Sequence, residues 1–427
     1  MEINRRGLLV RTGLTFAAGA LAAVGAGGEG RATQAGTPLA QVDDWAGIRG
    51  LFSVSPDFLH FGGLYLASHP APVQQAIEAH RRGLDDNPVD YLHQQAPRLE
   101  AAVLHAAAGY LGADPTDIAL TDSTTMGLGV LYTGLVLRPD QDLLTTQHDF
   151  YATHEALRLA SQRSGAPMRQ IALYQRIETV SEDEIVDAVT QGISDQTRVL
   201  AVTWVHSSTG LKLPIRRIAD VVANVNQARE PGDRVLLCVD GVHGFGVEDT
   251  RVADLGCDFF VAGCHKWLLG PRGTGLIWGR GNLAWSAIRP TIPTFGDGQS
   301  AGSLNTPGGF HSFEHRWALS EAFNLHQQIG PTRITERIHA LNGALKSGLA
   351  GIGNVRVVTP LADGLSAGLV CFQVGGQSAQ QVVDQLHARK IIATVTPYSV
   401  AYPRLAAGLL NDEAQVEAVL DAVRAIA

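Results

Sequence analysis

Scarcity narrows the reading of this 427-residue chain before any motif does. It has four cysteines, Cys238, Cys257, Cys264 and Cys371, with no CxxC pair among them, and most sit in apolar, strand-like runs. Such spacing argues against a zinc site or a disulfide framework and leaves them as small buried hydrophobes, so no metal is expected. Basic residues are scattered and the net charge is −8, so the electrostatic footprint of a nucleic-acid binder is missing. Any anionic ligand must be met by local groups. Beyond the first residues there is no apolar run of about 18, and no stable membrane insertion is expected. Internal repeats and low-complexity segments are also lacking. What the chain does have is 45% hydrophobic content, enough for a large core, and a length that favours two or three domains.

Residues 1–36 follow a different pattern. Arg5-Arg6 precede a mild apolar stretch from Leu14 to Ala26, and small and polar residues continue through Thr37. This reads as a twin-arginine signal peptide and predicts a periplasmic mature protein that crosses the membrane already folded; a disordered basic tail is the alternative. Asp43 to Pro56 reads as an amphipathic segment and Phe58 to Pro70 as a strand and glycine-containing loop. Helical spacing runs from Pro72 to Gly83, broken at Asn87-Pro88, and again from about Pro97 to Leu111. Seven strand-like runs then alternate with helical stretches: IALTD, DLLTTQ, MRQIALY, RVLAVTWV, RVLLCVD, CDFFVAG and TGLIWG. They predict an α/β fold with a mainly parallel seven-stranded sheet covered on both faces. Ligands of such sheets sit beyond the carboxyl ends of the strands. The Pro/Gly/Ser/Thr-rich stretch before Gly309 predicts an active-site or subunit-contact loop. A long helix from Phe310 and a smaller α/β region follow. The predicted division is a large domain at 43–309, with 43–70 able to pack on the small domain, and a linking helix with a C-terminal domain at 310–427.

Two residues carry the chemistry. Asp240 ends RVLLCVD, and Lys266 lies in the glycine-rich turn AGCHKWLLGPRGTG. A buried carboxylate that keeps a pyridine nitrogen protonated, and a lysine that holds an aldehyde, are what pyridoxal 5'-phosphate requires. Each alone is commonplace, since strands often end in Asp and loop lysines are usually solvated. In IALTDSTTMGLGVL, Ser123, Thr124 and Thr125 offer hydroxyls and N–H groups to a phosphate at a helix N-terminus, although Ser and Thr cap helices everywhere. In TTQHDFYATHEAL, Tyr151 is the first choice to stack on the ring and Phe150 the second, with a purely structural role open for both. His206 and Ser207, just past the next strand, and His243, three residues after Asp240, are placed to reach the ring hydroxyl or a substrate; His265 is placed to donate to the phosphate. Lys266, Asp240, Tyr151 and His243 form the predicted catalytic group.

Taken together, Asp122-Ser123-Thr124-Thr125, the aromatic after His148-Asp149, Val239-Asp240-Gly241-Val242-His243, His265-Lys266-Trp267 with Gly270-Pro271, and Pro403-Arg404-Leu405 ahead of Asn411-Asp412-Glu413 resemble the class V branch of fold-type-I pyridoxal-phosphate enzymes. That group includes isopenicillin N epimerase and the cysteine desulfurases, and the resemblance spans Asp43 to Ala427. It implies a Schiff base on Lys266, the ring nitrogen on Asp240, phosphate on Thr124, Thr125 and His265, and a substrate carboxylate on Arg404 through a two-pronged contact. It also implies a homodimer, with Thr291 to Gly309 facing the partner. Departures from the family pattern are Gly263 where Ser is frequent, His243 for Gln, Ser207 for Asn and Gly309 for Thr. Cys371, inside GLVCFQV, is too buried and rigid to carry a persulfide as a desulfurase requires. Leader, length and class resemble the periplasmic enzymes that tailor pyoverdine-type peptide siderophores, which implies oxidative decarboxylation of a glutamyl group to a succinamide, with oxygen as a plausible oxidant. The alternatives are an aminotransferase or epimerase of a small amino acid, a C–S lyase, and a catalytically silent binding protein. An intact acid, lysine and arginine argue against the last.

Overall fold

The structure, a computed structural model, describes residues 44–296 and 298–427; the twin-arginine leader lies outside the described residues. In chain order the strands are β1 (Leu59–His60), β2 (Ile118–Thr121), β3 (Asp142–Thr146), β4 (Met168–Ile171), β5 (Thr197–Thr203), β6 (Leu236–Asp240), β7 (Phe259–Gly263), β8 (Gly275–Gly279), β9 (Val355–Val357), β10 (Val370–Val374), β11 (Ile391–Ile392), β12 (Thr394–Val395) and β13 (Pro403–Leu405). The seven from β2 to β8 make one sheet in the order β2-β8-β7-β6-β5-β3-β4. From β4 through β7 the neighbours are parallel, while β8 is antiparallel to both β7 and β2. Every residue of these strands is buried except along the edge strand β4. Burial on both faces is why they read as continuous apolar runs rather than as alternating ones.

The longer helices are α1 (Ala71–Asp86), α2 (Pro88–Leu111), α3 (Thr124–Gly134), α4 (Tyr151–Ser164), α5 (Glu182–Gly192), α6 (Ile215–Asn226), α7 (Phe313–Ile329), α8 (Pro331–Ala350), α9 (Ala379–Ala388) and α10 (Glu413–Arg424). In α6 the buried residues Ile215, Ile218, Ala219 and Val222 fall on one stripe, the spacing of a helix laid on a sheet. Each fully buried Ile contributes about 1.5–3 kcal/mol. The second helix begins at Pro88, not near Pro97 as the sequence suggests. Pro88 suits a first turn, and Pro97 and His93 are both exposed, so the carbonyl that loses its partner is left to water.

A four-stranded antiparallel sheet, β12-β13-β10-β9, backs the second core, where Phe61, Leu345, Phe372, Leu386 and Val419 meet. Strand β1 pairs in parallel with β11 beside it. The strand β13 was not foreseen, because three residues are too short to show a period. In the Pro/Gly-rich stretch, Ala301–Asn305 forms a short helix against the outer edge of β2. A Cβ at Gly302 would lie 2.1 Å from the Ile118 carbonyl oxygen, and the Thr306 hydroxyl accepts the Leu120 N–H at 3.1 Å. An open sheet edge is thereby covered. Among the described residues no helix is long and apolar enough to cross a membrane.

Candidate active site

The neighbouring parallel strands β6 and β7 deliver the acid and the lysine to one edge of the sheet. Asp240 is the last residue of β6, paired with Thr203 on one side and Val261 on the other; Lys266 lies three residues past the end of β7. Asp240 is 2% exposed, and its Oδ1 accepts the Val242 N–H at 3.1 Å. Burial pushes its carboxyl up to about 6, against the opposing pull of that hydrogen bond and of the Lys266 charge. Burial likewise brings the Lys266 amine down to about 8, with Asp240 opposing and the positive charge of Arg404 assisting. The two feel each other's charge, yet no ion pair joins them among the described residues.

His243 bridges toward the lysine, its Nε2 3.5 Å from Lys266 Nζ. The Trp267 indole, which can only donate, points at His243 Nδ1 at 3.4 Å, so the proton of the neutral ring belongs on Nε2, facing the amine. Burial, with the nearby Lys266, Arg404 and His265 adding to it, keeps His243 neutral well below the usual histidine range.

At the start of α3 the Ser123 hydroxyl accepts the Met126 N–H at 3.1 Å and is used as a helix cap. Ser123 is thus the helix cap, and its own O–H proton is left free to donate to a phosphate. Thr125, in the first turn of the same helix, is exposed. Thr124 Oγ1 and His265 Nδ1, by contrast, are buried and have no hydrogen-bond partner. They converge on Gly263, where an added Cβ would lie 3.0 Å from Thr124 Oγ1 and 3.1 Å from His265 Cε1. Any side chain at this position, the family's frequent serine included, would crowd both groups, so glycine keeps the two unpartnered polar atoms clear at the N-terminus of an eleven-residue helix, where a phosphate would find donors.

The two aromatics expected to stack on the ring are placed differently. Tyr151, the first residue of α4, is 70% exposed. Phe150, just before it, is half-buried, with its ring edge-on to Tyr398 at 6.2 Å. Tyr398 shares a 2.7 Å hydrogen bond with Ser207 Oγ and lies within electrostatic reach of Arg404 and Asp240. His148 stacks on Tyr174 at 4.3 Å, and His206 lies 5.8 Å away on its other contact. His206 is 1% exposed with neither ring nitrogen bonded, and burial lowers it to about 4. Its neighbours are His148 and Asp149.

Arg404, in β13, is 3% exposed. Its Nε donates to Thr394 Oγ1 at 3.0 Å and its Nη1 to the Ser207 carbonyl at 3.0 Å. No carboxylate pairs with it among the described residues, and burial lowers its proton affinity. Sequence reasoning missed Tyr398, in the loop ahead of β13, and Asp149, a buried carboxylate at the end of β3. The acid directly after His148 was the available signal for Asp149.

An acid and an amine that act on each other across a gap, with unpartnered polar atoms on Thr124 after β2 and on His265 after β7, are what pyridoxal 5'-phosphate needs, and the fold is that of the type I enzymes that use it. The chain belongs to the aminotransferase class-V family, whose pattern matches residues 67–408. Isopenicillin N epimerase of Amycolatopsis lactamdurans is 27% identical over 347 residues, 77% of this chain and 84% of that protein. A cysteine desulfurase of Yersinia pestis bv. Antiqua (strain Angola) is 25% identical over 385 residues, 87% of this chain and 86% of that protein. The fold is shared with a variant of C-DES with glycine covalently linked to its PLP cofactor, at a TM-score of 0.80 and 20% identity, covering 88% of this chain and 98% of that one. The protein is thus a pyridoxal-phosphate-dependent enzyme.

Proposed function

We propose that the enzyme acts at the Cα of an amino acid or peptide with a free α-amine, and that its substrate in the cell is the glutamyl group of a pyoverdine-type siderophore, oxidised in the periplasm by molecular oxygen to a succinamide. The α-carboxylate leaves as CO2, one oxygen atom enters the amide and the other leaves as water. The observation that carries the first part is Arg404: a buried guanidinium with no carboxylate partner, held by Thr394 and Ser207 within electrostatic reach of Lys266. A substrate α-carboxylate supplies the missing counter-charge in a planar contact. Held at Lys266, the cofactor would supply an electron sink for the Cα of a bound amine. Lys266, whose amine falls to about 8, is poised to take and return a proton near neutral pH. Asp240 would hold the ring nitrogen and Thr124 and His265 the phosphate, and the Nε2 proton of His243 faces the Lys266 amine.

Sulfur transfer through a carrier cysteine is disfavoured, since all four cysteines are buried and the Cys371 thiol is pushed up to about 12 by burial. The siderophore assignment is supported by the leader, length and class. Epimerisation is the second reading, favoured by the likeness to isopenicillin N epimerase. Incubating the purified enzyme with glutamyl-bearing siderophore precursor under air and under nitrogen, with mass analysis, separates them: a decarboxylated succinamide in air alone is expected. A product of unchanged mass with inverted Cα, or one identical under both gases, would overturn the oxidative reading.

A further inference from the structure

We propose that Asp149 is a positioning residue for the cofactor nitrogen: a second buried carboxylate, locked beside Asp240, whose charge helps to retain the proton that Asp240 grips. This rests on the cofactor assignment and on Asp240 as the ring-nitrogen partner, and on no particular substrate.

Asp149 is 2% exposed. Its Oδ2 accepts from the Thr145 hydroxyl at 2.8 Å and the Thr146 N–H at 2.9 Å, and its Oδ1 accepts from the Thr203 N–H at 2.6 Å. All three partners donate, the surroundings of an ionised, acceptor-only carboxylate. Thr203 is the register partner of Asp240 across β5 and β6, and the Asp240 carbonyl accepts the next N–H, that of Trp204, at 2.8 Å. The two acids are therefore tied to adjoining positions of the same pair of strands. Asp149 adds to the upward push on the Asp240 carboxyl, as a like charge nearby must.

The other ionisable groups around them leave that charge uncancelled. His148 and His206, which face Asp149, are kept neutral by burial. The hydroxyls of Tyr132, from α3, and Tyr398 sense both carboxylates and stay protonated, chiefly through burial. Cys238, on β6, is raised by burial and stays a thiol. Lys266 acts on Asp240, and Arg404 lies beyond it. Two neighbouring buried carboxylates repel each other, and a cation held by one relieves the other. A protonated pyridine nitrogen is such a cation.

The test uses the holoenzyme loaded with ring-¹⁵N pyridoxal phosphate, following the nitrogen chemical shift as pH is raised. Asp149→Asn should lower the midpoint for loss of the ring proton by about one pH unit, a tenfold loss of proton affinity. Asp149→Glu, which keeps the charge, should stay close to the parent. An Asn variant with the parent's midpoint overturns the proposal; if the Asn protein fails to fold, Asp149→Ser, which also removes the charge, takes its place, and a parental midpoint there overturns it equally. Failure of the parent to bind the labelled cofactor would remove the cofactor assignment itself, a distinguishable result.

Discussion

Thr124 allows the cofactor cradle to be tested through the sign of an effect. Its hydroxyl is buried and unpartnered in the protein alone, whereas a nearby control, the Thr121 hydroxyl on β2, donates to the Ser123 carbonyl at 3.2 Å. Replacing either by valine keeps the shape and removes one hydroxyl. For Thr121→Val a hydrogen bond is lost and a carbonyl is left short of a partner, so the cofactor-free protein should lose about 1 kcal/mol. For Thr124→Val an unsatisfied buried group disappears, and the cofactor-free protein should gain stability, by about 1–2 kcal/mol. Cofactor affinity should move the other way. A hydroxyl that donates to a phosphate makes a charge-assisted bond of about 1.5–3 kcal/mol, so Thr124→Val should weaken pyridoxal phosphate binding roughly 10- to 150-fold, while Thr121→Val leaves it near the parent value. Urea unfolding of the cofactor-free proteins and a visible-absorbance titration with cofactor give both quantities. Equal loss of stability in the two variants, or parental affinity in Thr124→Val, would refute the reasoning.

Three further outcomes are expected. Only the neutral Lys266 amine can capture the cofactor aldehyde, so the stopped-flow rate of visible-band growth on reconstitution should climb with pH and level off above about 8, with Lys266→Ala giving no borohydride-trapped adduct; a rate still climbing near pH 10 would indicate an unperturbed lysine. Asp240 binds its proton more tightly folded than unfolded, so its contribution to the stability of the cofactor-free protein is present below about 3.8 and is lost as pH rises to about 6. Urea denaturation of Asp240→Asn should show that limb flattened. Arg404→Lys should raise KM for α-amino acids roughly 10- to 100-fold through loss of the two-pronged contact, and leave amines without an α-carboxylate unaffected; steady-state kinetics on such a substrate pair reads the difference.

How much of this was legible in the sequence depends on the range over which each feature is decided. The seven large-sheet strands announce themselves locally, as apolar runs such as RVLLCVD closed by turn residues, and parallel pairing then brings Asp240 and Lys266 to the same edge. The choice between Phe150 and Tyr151 is not local. Phe150 caps α4 in extended backbone and Tyr151 begins the helix, so the turn of the chain into α4 decides which one meets Tyr398. Pro97 read as a helix start because proline is a breaker in general, and only its exposure shows why α2 tolerates it. Tyr398, which closes on Ser207 from the far end of the chain, and Arg404, which donates to the Ser207 carbonyl, depend on contacts that no spacing rule contains.

The polar groups that lack partners within the protein explain why cofactor and substrate together suit all of them. Thr124 Oγ1 and His265 Nδ1 are left without acceptors or donors, Arg404 without a counter-charge, and burial drives Asp240 and Lys266 each toward its neutral form. Each of these carries a cost in the protein alone, and such costs are tolerated where function requires them. A phosphate satisfies the first two, a pyridine nitrogen the acid, an aldehyde the amine, and an amino-acid carboxylate the arginine. The costs set up in folding are thus recovered on binding, and the cofactor should stabilise the fold in proportion to the logarithm of its concentration over its dissociation constant. Substitutions that lower the cost in the cofactor-free protein should therefore weaken cofactor binding, which is the inverse relation on which the Thr124→Val experiment turns.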